Sequence, residues 1–202
     1  MKKYEIKRMA DNIDWSDIPI MDIDTPYLDT PENVKAWAQI AYDDEEILVH
    51  LWTKEYQHRA VESGPVGKPY EDCCLEFFFS PMEGDNRYFN FENNSIGCFY
   101  LGIGTGLHDA VRLIPDGDSG EDIFERKVKH FEGGWEIEYS FPYAFIKRFF
   151  PDFKVYEGKK IRANCFKCAD LTEPPHYLSW NPVSTENFTF HKPECFGEMV
   201  FN

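Results

Sequence analysis

The sequence predicts an all-β protein, a two-sheet antiparallel β-sandwich of the immunoglobulin-like or jelly-roll type with one short helix. Three observations support this prediction. Apolar and polar residues alternate in most segments, turn-forming residues separate these segments, and helical spacing is confined to one stretch. Alternation gives each strand one apolar and one polar face, which is typical of antiparallel sheets that cover a core on one side.

The alternation identifies the residues that we expect to face the core. Ile47, Val49 and Leu51 occupy every second position of one segment, and Phe89 and Phe91 do so in another. Because side chains two residues apart share a face of a strand, each such set predicts one buried face. The predicted core contains Trp37, Val49, Leu51, Leu75, Phe77, Phe79, Phe89, Phe91, Ile137 and Phe201.

Turn chemistry marks where the strands end. Charged or glycine-containing turns separate the alternating segments at residues 43–46, 83–86, 132–134 and 157–160, and many short strands with regular turns favour a sandwich over a parallel α/β sheet. The one predicted helix follows Pro142 and covers residues 143–149, because proline suits the first helical turn and Pro151 stops further propagation.

Length and composition indicate one folded domain over residues 1–202. The chain has 202 residues, of which 43% are hydrophobic and 17% aromatic. A chain of this length can bury a core without disulfide bonds, and this aromatic content excludes an intrinsically disordered protein. The sequence shows no internal repeat and no linker, so we expect a single domain.

The charge limits the partners that this protein can bind. The formal net charge is −15, and an acidic surface repels nucleic acid and anionic membranes. The residues at the amino terminus contain no apolar region of the signal-peptide type, and no apolar run approaches the ~18 residues of a membrane span. We therefore expect a cytoplasmic protein, or a secreted one if a leader peptide has been removed, that binds neither nucleic acid nor membranes. The sequence leaves its oligomeric state open.

The sequence contains none of the usual catalytic or metal-binding signatures. The six cysteines include one C-x-x-C pair, Cys165 and Cys168, but a structural zinc site usually needs a second pair. The six histidines are scattered, with no pair at ligand spacing. We therefore expect mostly free thiols, no catalytic residue, no metal site and no required cofactor.

Aromatic residues in polar loops are the more informative feature. Tyr70 precedes the strand that carries Glu76 on its polar face, and Phe190 follows a polar segment. A sugar presents C–H faces that stack on aromatic rings and hydroxyls that need carboxylate, amide or cationic partners. Tyr70 and Phe190 are therefore candidate sugar-binding rings. The alternative, that both rings only close the ends of the sandwich, stays open on this argument.

Read in order, six segments resemble the family 9 carbohydrate-binding modules. The resemblance covers about residues 12–202, and its motifs occur in the family's order. They are WAQIAYDDEEILV at 37–49, PYEDCCLEFF at 69–78, GGWEIEYSFP at 133–142, IRAN at 161–164, SWNP at 179–182 and FHKPECFG at 190–197.

The resemblance implies a site in which two rings hold a sugar while polar side chains bind its hydroxyls. The positions that match are Tyr70 and Phe190 for the rings, Glu76 for the glutamate, Asn187 and Asn90 for polar contacts, and Lys167 near a further polar position. Tyrosine and phenylalanine stand where the family usually has tryptophan. Smaller rings imply weaker stacking, a different ligand, or a main platform supplied by Trp52 or Trp180. Trp180 either lines the site or seals the sandwich.

Relatives in this family often hold structural calcium. The segments 83–86 and 116–118 contain acidic residues, but neither has the spacing of a defined calcium loop. We therefore regard structural calcium as possible but do not favour it.

The sequence leaves three functional hypotheses. The leading one is a non-catalytic carbohydrate-binding domain, of the kind associated with glycoside hydrolases and polysaccharide catabolism. The second is a glycoside hydrolase or lyase that uses Glu76, and the third is a protein-interaction sandwich that has lost sugar binding. The sequence does not identify the sugar.

Overall fold

The computed structural model describes residues 1–9, 14–55, 58–114 and 123–202. Its strands are β1 (Lys3–Arg8), β2 (Met21–Ile23), β3 (Thr25–Tyr27), β4 (Lys35–Tyr42), β5 (Glu46–Lys54), β6 (Cys74–Ser80), β7 (Tyr88–Asn94), β8 (Phe99–Gly104), β9 (Val111–Leu113), β10 (Lys127–Phe131), β11 (Gly134–Pro142), β12 (Lys160–Cys168), β13 (Tyr177–Ser179) and β14 (Gly197–Phe201). Helix α1 covers Tyr143–Phe149, and short 3₁₀ helices cover Trp15–Asp17, Pro69–Glu71 and Pro193–Cys195.

The described strands form one curled mixed sheet. Its order is β10-β11-β5-β4-β1-β14-β12-β6-β7-β8-β9, with β2 on β4, β13 on β12 and β3 on β13. The prediction of a mostly β fold is confirmed, but the prediction of a purely antiparallel one is wrong. β1 runs parallel to both neighbours, pairing through residues 3–6 with β14 and through residues 7–8 with β4. Alternation reports which face of a strand is buried, and it carries no information about the direction of the neighbouring strand.

The two halves of the sheet enclose a shared aromatic core. Within the described residues, β1 alone connects the half that contains β5 and β11 to the half that contains β6 and β7. Phe79 on β6 lies with its ring centroid 5.0 Å from that of Phe141 on β11, and the rings of Phe91 and Tyr139 are 4.8 Å apart. Such edge-to-face contacts between large apolar rings add to the stabilisation that burial gives.

All the predicted core residues except Trp37 are buried. Ala36 and Ala38 fill the inward positions of β4, so Trp37 lies on the outward face, where it stacks on Trp52 with ring centroids 5.8 Å apart. The prediction of a buried Trp37 is therefore wrong. The apolar phase of β4, to which the sequence assigns Trp37, is in fact the outward one, and the two small alanines occupy the inward positions.

Helix α1 confirms the predicted helix over residues 143–149. Pro142 occupies the cap position before the helix, and the Phe150 backbone N–H donates to the Ile146 carbonyl at its end. The helix buries Phe145 and Ile146 against the aromatic core, so it closes one side of that core.

The six cysteines are free thiols in the structure, and five of them are buried. Burial raises the pKa of Cys73 to about 12 and that of Cys98 to about 11, which keeps both thiols protonated. Among the described residues, no helix is long and apolar enough to cross a membrane. The Gly-, Pro- and Asp-rich composition of residues 115–122 predicts a surface loop, and these residues lie outside the described ones.

Candidate functional site

A cleft of about 460 Å³ brings aromatic and acidic side chains together over the outward faces of β6, β7 and β8. Its volume lies within the ~300–1,000 Å³ of typical small-molecule sites. The lining residues are Tyr70, Glu76, Glu92, Tyr100, Leu107, Ala110, Cys168, Asp170, Tyr177, Phe188, Thr189, Phe190 and His191.

Strand register builds the floor of the cleft. Glu76 on β6 pairs with Glu92 on β7, and Glu92 pairs in turn with Tyr100 on β8. Directly opposite residues on neighbouring strands project from the same face of a sheet. Two carboxyl groups and a phenol therefore form one row at the base of the cleft.

Both carboxyl groups of this row are buried and held as acids. Glu76 is 2% exposed and Glu92 is 3% exposed. Burial raises the pKa of Glu92 to about 8, and burial together with the nearby Glu92 charge raises the pKa of Glu76 well above its usual value. At neutral pH these carboxyl groups are therefore largely protonated and can donate hydrogen bonds as well as accept them.

Two buried oxygen atoms next to the floor lack a hydrogen-bond partner among the described residues. The Asn90 Nδ2 donates to Glu92 Oε1 at 2.8 Å, but Asn90 Oδ1 and Glu92 Oε2 receive no bond there. Gly102 makes room for this amide, since a Cβ atom at that position would lie 2.2 Å from Asn90 Oδ1. Buried polar atoms are normally satisfied, so these two oxygens are ready to bind polar groups of a ligand.

Tyr70 and Tyr100 form one aromatic part of the lining. Tyr70 lies on the 3₁₀ helix Pro69–Glu71 and is half-buried, with its ring 6.5 Å from that of Tyr100 in an edge contact. The Arg112 guanidinium lies over the Tyr100 ring at 4.6 Å from its centroid. Tyr70 thus keeps exposed ring surface in the cleft, while Arg112 fixes the position of Tyr100.

Phe188 and Phe190 form the other aromatic part. Phe190 is only 7% exposed, because it stacks on Phe166 with ring centroids 4.1 Å apart. Phe188 stacks on Tyr27 and is more exposed than Phe190. Of the two phenylalanines, Phe188 therefore offers more free ring surface to a ligand.

His191 stands next to these rings as a neutral group. Its Nδ1 lies 2.7 Å from the Tyr88 hydroxyl, and burial lowers the pKa of His191 to about 4. It therefore acts at neutral pH through hydrogen bonds rather than through charge.

The structure brings Tyr70, Glu76 and Phe190 of the predicted site residues together in the cleft. Asn90 lies just beneath it, bonded to Glu92. Asn187 is exposed with a positive φ of 48° and does not line the cleft, so its contact with a ligand stays a prediction.

Lys167 and the two candidate tryptophans lie outside the cleft. The Lys167 side chain is fully buried and pairs with Glu55, with Nζ 2.9 Å from Oε2. Trp180 is 4% exposed and packs on Gly197 and Tyr4 in the core. Trp52 stacks between Trp37 and His50 on the outward face of β5.

Sequence reasoning missed Glu92, Tyr100, Phe188 and seven other lining residues: Leu107, Ala110, Cys168, Asp170, Tyr177, Thr189 and His191. A signal existed for Glu92, since it shares the outward phase of β7 with Asn90. Tyr100 becomes recognisable only when its pairing with Glu92 is known. Phe188 and Phe190 occupy equivalent positions in one segment, and only the stack on Phe166 distinguishes them.

A second cleft, of about 520 Å³, contains no aromatic ring. Both of its lysine and arginine side chains are occupied by other protein atoms, since Lys160 pairs with Glu198 at 3.1 Å and Arg162 donates to the carbonyls of Phe196 and Gly197. This cleft lacks the ring surface that a sugar needs.

The segment 83–86 does not fit calcium. Both carboxylate oxygens of Asp85 accept bonds from the Arg87 guanidinium, at 3.1 and 2.6 Å. Calcium needs several free oxygen ligands, and the arginine already occupies the carboxylate. The other segment considered for calcium, 116–118, lies outside the described residues.

Comparison with known proteins gives one consistent result. The sequence profile of carbohydrate-binding family 9 matches residues 5–201. A protein from Bacteroides uniformis, described as a "putative carbohydrate-binding protein", is 30% identical, with a TM-score of 0.83 over 100% of this chain and 99% of that one. No curated protein matches.

Two further solved structures share the fold at lower identity. Both are family 9 modules from Caldicellulosiruptor kristjanssonii. The complex with glucose is 13% identical, with a TM-score of 0.68 over 100% of this chain and 96% of that one. The complex with cellotriose is 14% identical, with a TM-score of 0.66 over 99% of this chain and 93% of that one.

Proposed function

Because the chain belongs to carbohydrate-binding family 9, we propose that its cleft binds a mono- or oligosaccharide between aromatic rings. The family consists of non-catalytic modules, so the expected activity is binding without hydrolysis. We further propose that the two halves of the curled sheet act as the layers of a β-sandwich, which the ring contacts across the core support.

The observation on which this proposal rests is the pairing of an exposed ring with unsatisfied buried oxygens. Tyr70 offers a ring face, Glu92 Oε2 lies at the floor, and Asn90 Oδ1 lies just beneath it, both oxygens without partners among the described residues. A pyranose has this same combination of an apolar C–H face and a rim of hydroxyl groups. The protonated carboxyl groups of Glu76 and Glu92 would donate to hydroxyl oxygens, and Asn90 Oδ1 would accept from a hydroxyl.

The ligand class follows from the chemistry of the cleft and from the relatives. A site with few charged groups at neutral pH favours a neutral sugar over a uronic acid or a sugar phosphate. The related modules of C. kristjanssonii bind glucose and cellotriose, so we propose neutral glucose-containing saccharides as the ligands. The cytoplasmic location and the independence of cofactors stay predictions.

Calorimetric titration tests this proposal. Wild-type protein is titrated with glucose and cellotriose, and Tyr70→Ala is compared with Tyr156→Ala, which removes a 63% exposed tyrosine outside the cleft. Loss of the Tyr70 ring should weaken binding by about 1–3 kcal/mol, which corresponds to about 5- to 150-fold in Kd.

Tyr156→Ala should bind as wild type does. Equal binding by wild type and Tyr70→Ala would place the site elsewhere on the molecule. Absence of binding to any neutral sugar on a glycan array would favour a protein-interaction role. Release of glucose from cellotriose by the wild type would show that the domain is an enzyme.

A further inference from the structure

The outward face of β4, β5 and β11 carries a cluster of one histidine and two glutamates that does not line the cleft. His50 on β5 pairs with Glu138 on β11 and with Gln39 on β4. Glu136 lies two residues from Glu138 and so projects from the same face of β11. One nitrogen of His50 and one carboxylate oxygen from each glutamate lie within 4.8 Å of one another.

The Gln39 amide fixes which nitrogen of His50 carries the proton. Gln39 Nε2 donates to the carbonyls of Trp15 and Ile18, each at 2.7 Å. Its Oε1 therefore faces His50 and accepts from the Nδ1–H at 3.1 Å. This leaves Nε2 pointing toward Glu136. Histidines that bind metals show this arrangement, in which the second ring N–H is held by an oxygen of the protein.

The distance between His50 and Glu136 fits a shared ion better than a direct bond. His50 Nε2 lies 3.4 Å from Glu136 Oε2, whereas a charge-assisted N–H···O bond is about 2.7–2.9 Å long. Two ligands at ~2.0–2.1 Å from a tetrahedral zinc ion are about 3.3 Å apart. The observed separation is therefore close to that of two ligands on one ion.

A cation already lies against the two carboxylates. Lys129 Nζ is 3.3 Å from Glu136 Oε1 and 3.1 Å from Glu138 Oε1, on a side chain that is 62% exposed. The two glutamate side chains are each 25% exposed and His50 is 13% exposed, so a small ion can reach them. A mobile lysine is a replaceable counter-ion for such a pair.

We propose that His50 Nε2, Glu136 and Glu138 bind one divalent transition-metal ion of the zinc type, with water as the fourth ligand. Zinc accepts this mixture of imidazole and carboxylate ligands, whereas calcium takes oxygen ligands. The ion would tie β5 to β11 on the half of the sheet that does not carry the cleft.

A second cluster of potential ligands, Glu55, His58 and Cys73, differs in one respect. Its carboxylate is already bound by Lys167 at 2.9 Å and by His176 at 3.2 Å, in the interior of the protein. A metal there would have to displace a buried ammonium group. At the His50 cluster, a metal ion would have to displace only the exposed Lys129.

Zinc titration of metal-stripped full-length protein tests the proposal. The wild type should bind one Zn²⁺ per chain, and His50→Gln and Glu138→Gln should each weaken binding at least about tenfold. His108→Gln replaces an exposed histidine outside the cluster and should leave binding unchanged. Ca²⁺ in place of Zn²⁺ should bind no more tightly to the wild type than to His50→Gln.

A variant that binds zinc more tightly gives stronger evidence than one that binds it less, because misfolding can weaken zinc binding but does not strengthen it. Lys129→Gln removes the competing cation and should tighten zinc binding several-fold, whereas Lys154→Gln, at an exposed position elsewhere, should not. Ni²⁺ gives an independent signal, because the ring of His50 lies 5.2 Å from that of Trp15 and 4.7 Å from that of Trp52. It should quench tryptophan emission in wild type but much less in His50→Gln.

The proposal fails if the wild type binds no zinc or if His50→Gln binds it as tightly as wild type does. It also fails if Cys73→Ser abolishes zinc binding while His50→Gln keeps it, since the ion would then occupy the other cluster.

Discussion

The interior around Glu55 and the floor of the cleft both bury carboxyl groups, but they differ in how many partners these groups have. In the interior, Glu55 is 3% exposed and meets three polar partners. Lys167 Nζ lies 2.9 Å and His176 Nε2 3.2 Å from one of its oxygens, and Trp135 Nε1 donates to the other at 2.8 Å. Although burial would raise the pKa of Glu55, the Lys167 charge and these bonds hold it well below its usual range.

The carboxyl groups of the cleft have far fewer partners. No ion pair to Glu76 or Glu92 occurs in the described part of the chain, and Glu92 receives one bond, from Asn90. The pKa of Glu92 is accordingly raised to about 8. The contrast teaches that the protein satisfies a structural acid from its own side chains and leaves an acid of the proposed binding site available to a ligand.

Removing the interior cation should produce the largest effect. In Lys167→Met, Glu55 loses its ammonium partner in the core, which should lower the free energy of unfolding by about 3–5 kcal/mol. Urea denaturation measures this loss. Lys154→Met, at an exposed lysine, is the matched control and should lose little stability. A stable Lys167→Met that no longer binds sugar would instead return Lys167 to the binding site, as the family resemblance implied.

The next largest effect is expected at Phe190, because its ring lines the cleft and also packs on the buried ring of Phe166. Because Phe190 stacks on Phe166 and is 7% exposed, Phe190→Ala should lower the free energy of unfolding by about 3 kcal/mol. Tyr70→Ala should cost much less stability, since that ring is half-buried. Denaturation of both variants in parallel gives the comparison, and an unchanged stability in Phe190→Ala would show that its ring serves the ligand alone.

The smallest effect is a dependence on pH that only the cleft should show. The folded protein holds a proton on Glu92 up to a pKa of about 8, whereas the ordinary value is 4.5. The folded state therefore binds more protons than the unfolded state between these values, so stability should fall as pH rises through this window. Sugar affinity should fall as pH rises through 8, because the ionised carboxylate can no longer donate a hydrogen bond.

Glu92→Gln separates this dependence from other titrations. Its side-chain amide keeps a donor at every pH, so both the stability and the affinity should vary less between neutral pH and pH 9. Calorimetry at several pH values checks the affinity, and thermal unfolding checks the stability. The comparison of the two regions would break down if Glu92→Gln kept the full pH dependence of the wild type.

Local patterns were enough to predict most strands and the helix, because the spacing of apolar residues within one segment shows which face of that segment is buried. Trp37 was an exception. It has one alanine on each side, so the alternation of apolar and polar residues does not show which of these side chains faces the core. Parallel pairing of β1 was not predictable, because it depends on which strands become its neighbours.

For the candidate site, the sequence predicted only those lining residues that can be recognised within one short segment. Tyr70 and Glu76 lie close together in sequence and in the cleft. The role of Lys167 depends on Glu55, a partner remote in sequence, and Tyr100 enters through strand register with Glu92. Such relations arise only when the chain folds, so a single sequence read locally cannot supply them.

The parallel strand β1 also imposes an order on biosynthesis. Lys3 pairs with Glu198 and Lys7 with Ala41, so β1 is completed by β14, a strand that the ribosome makes much later. Until β14 emerges, one edge of β1 has no partner, and among the described strands no pairing joins the two halves of the sheet. Unpaired edges of this kind attract other strands. The nascent chain is therefore exposed to aggregation at this edge until β14 has been made, and chaperones would be needed during that interval.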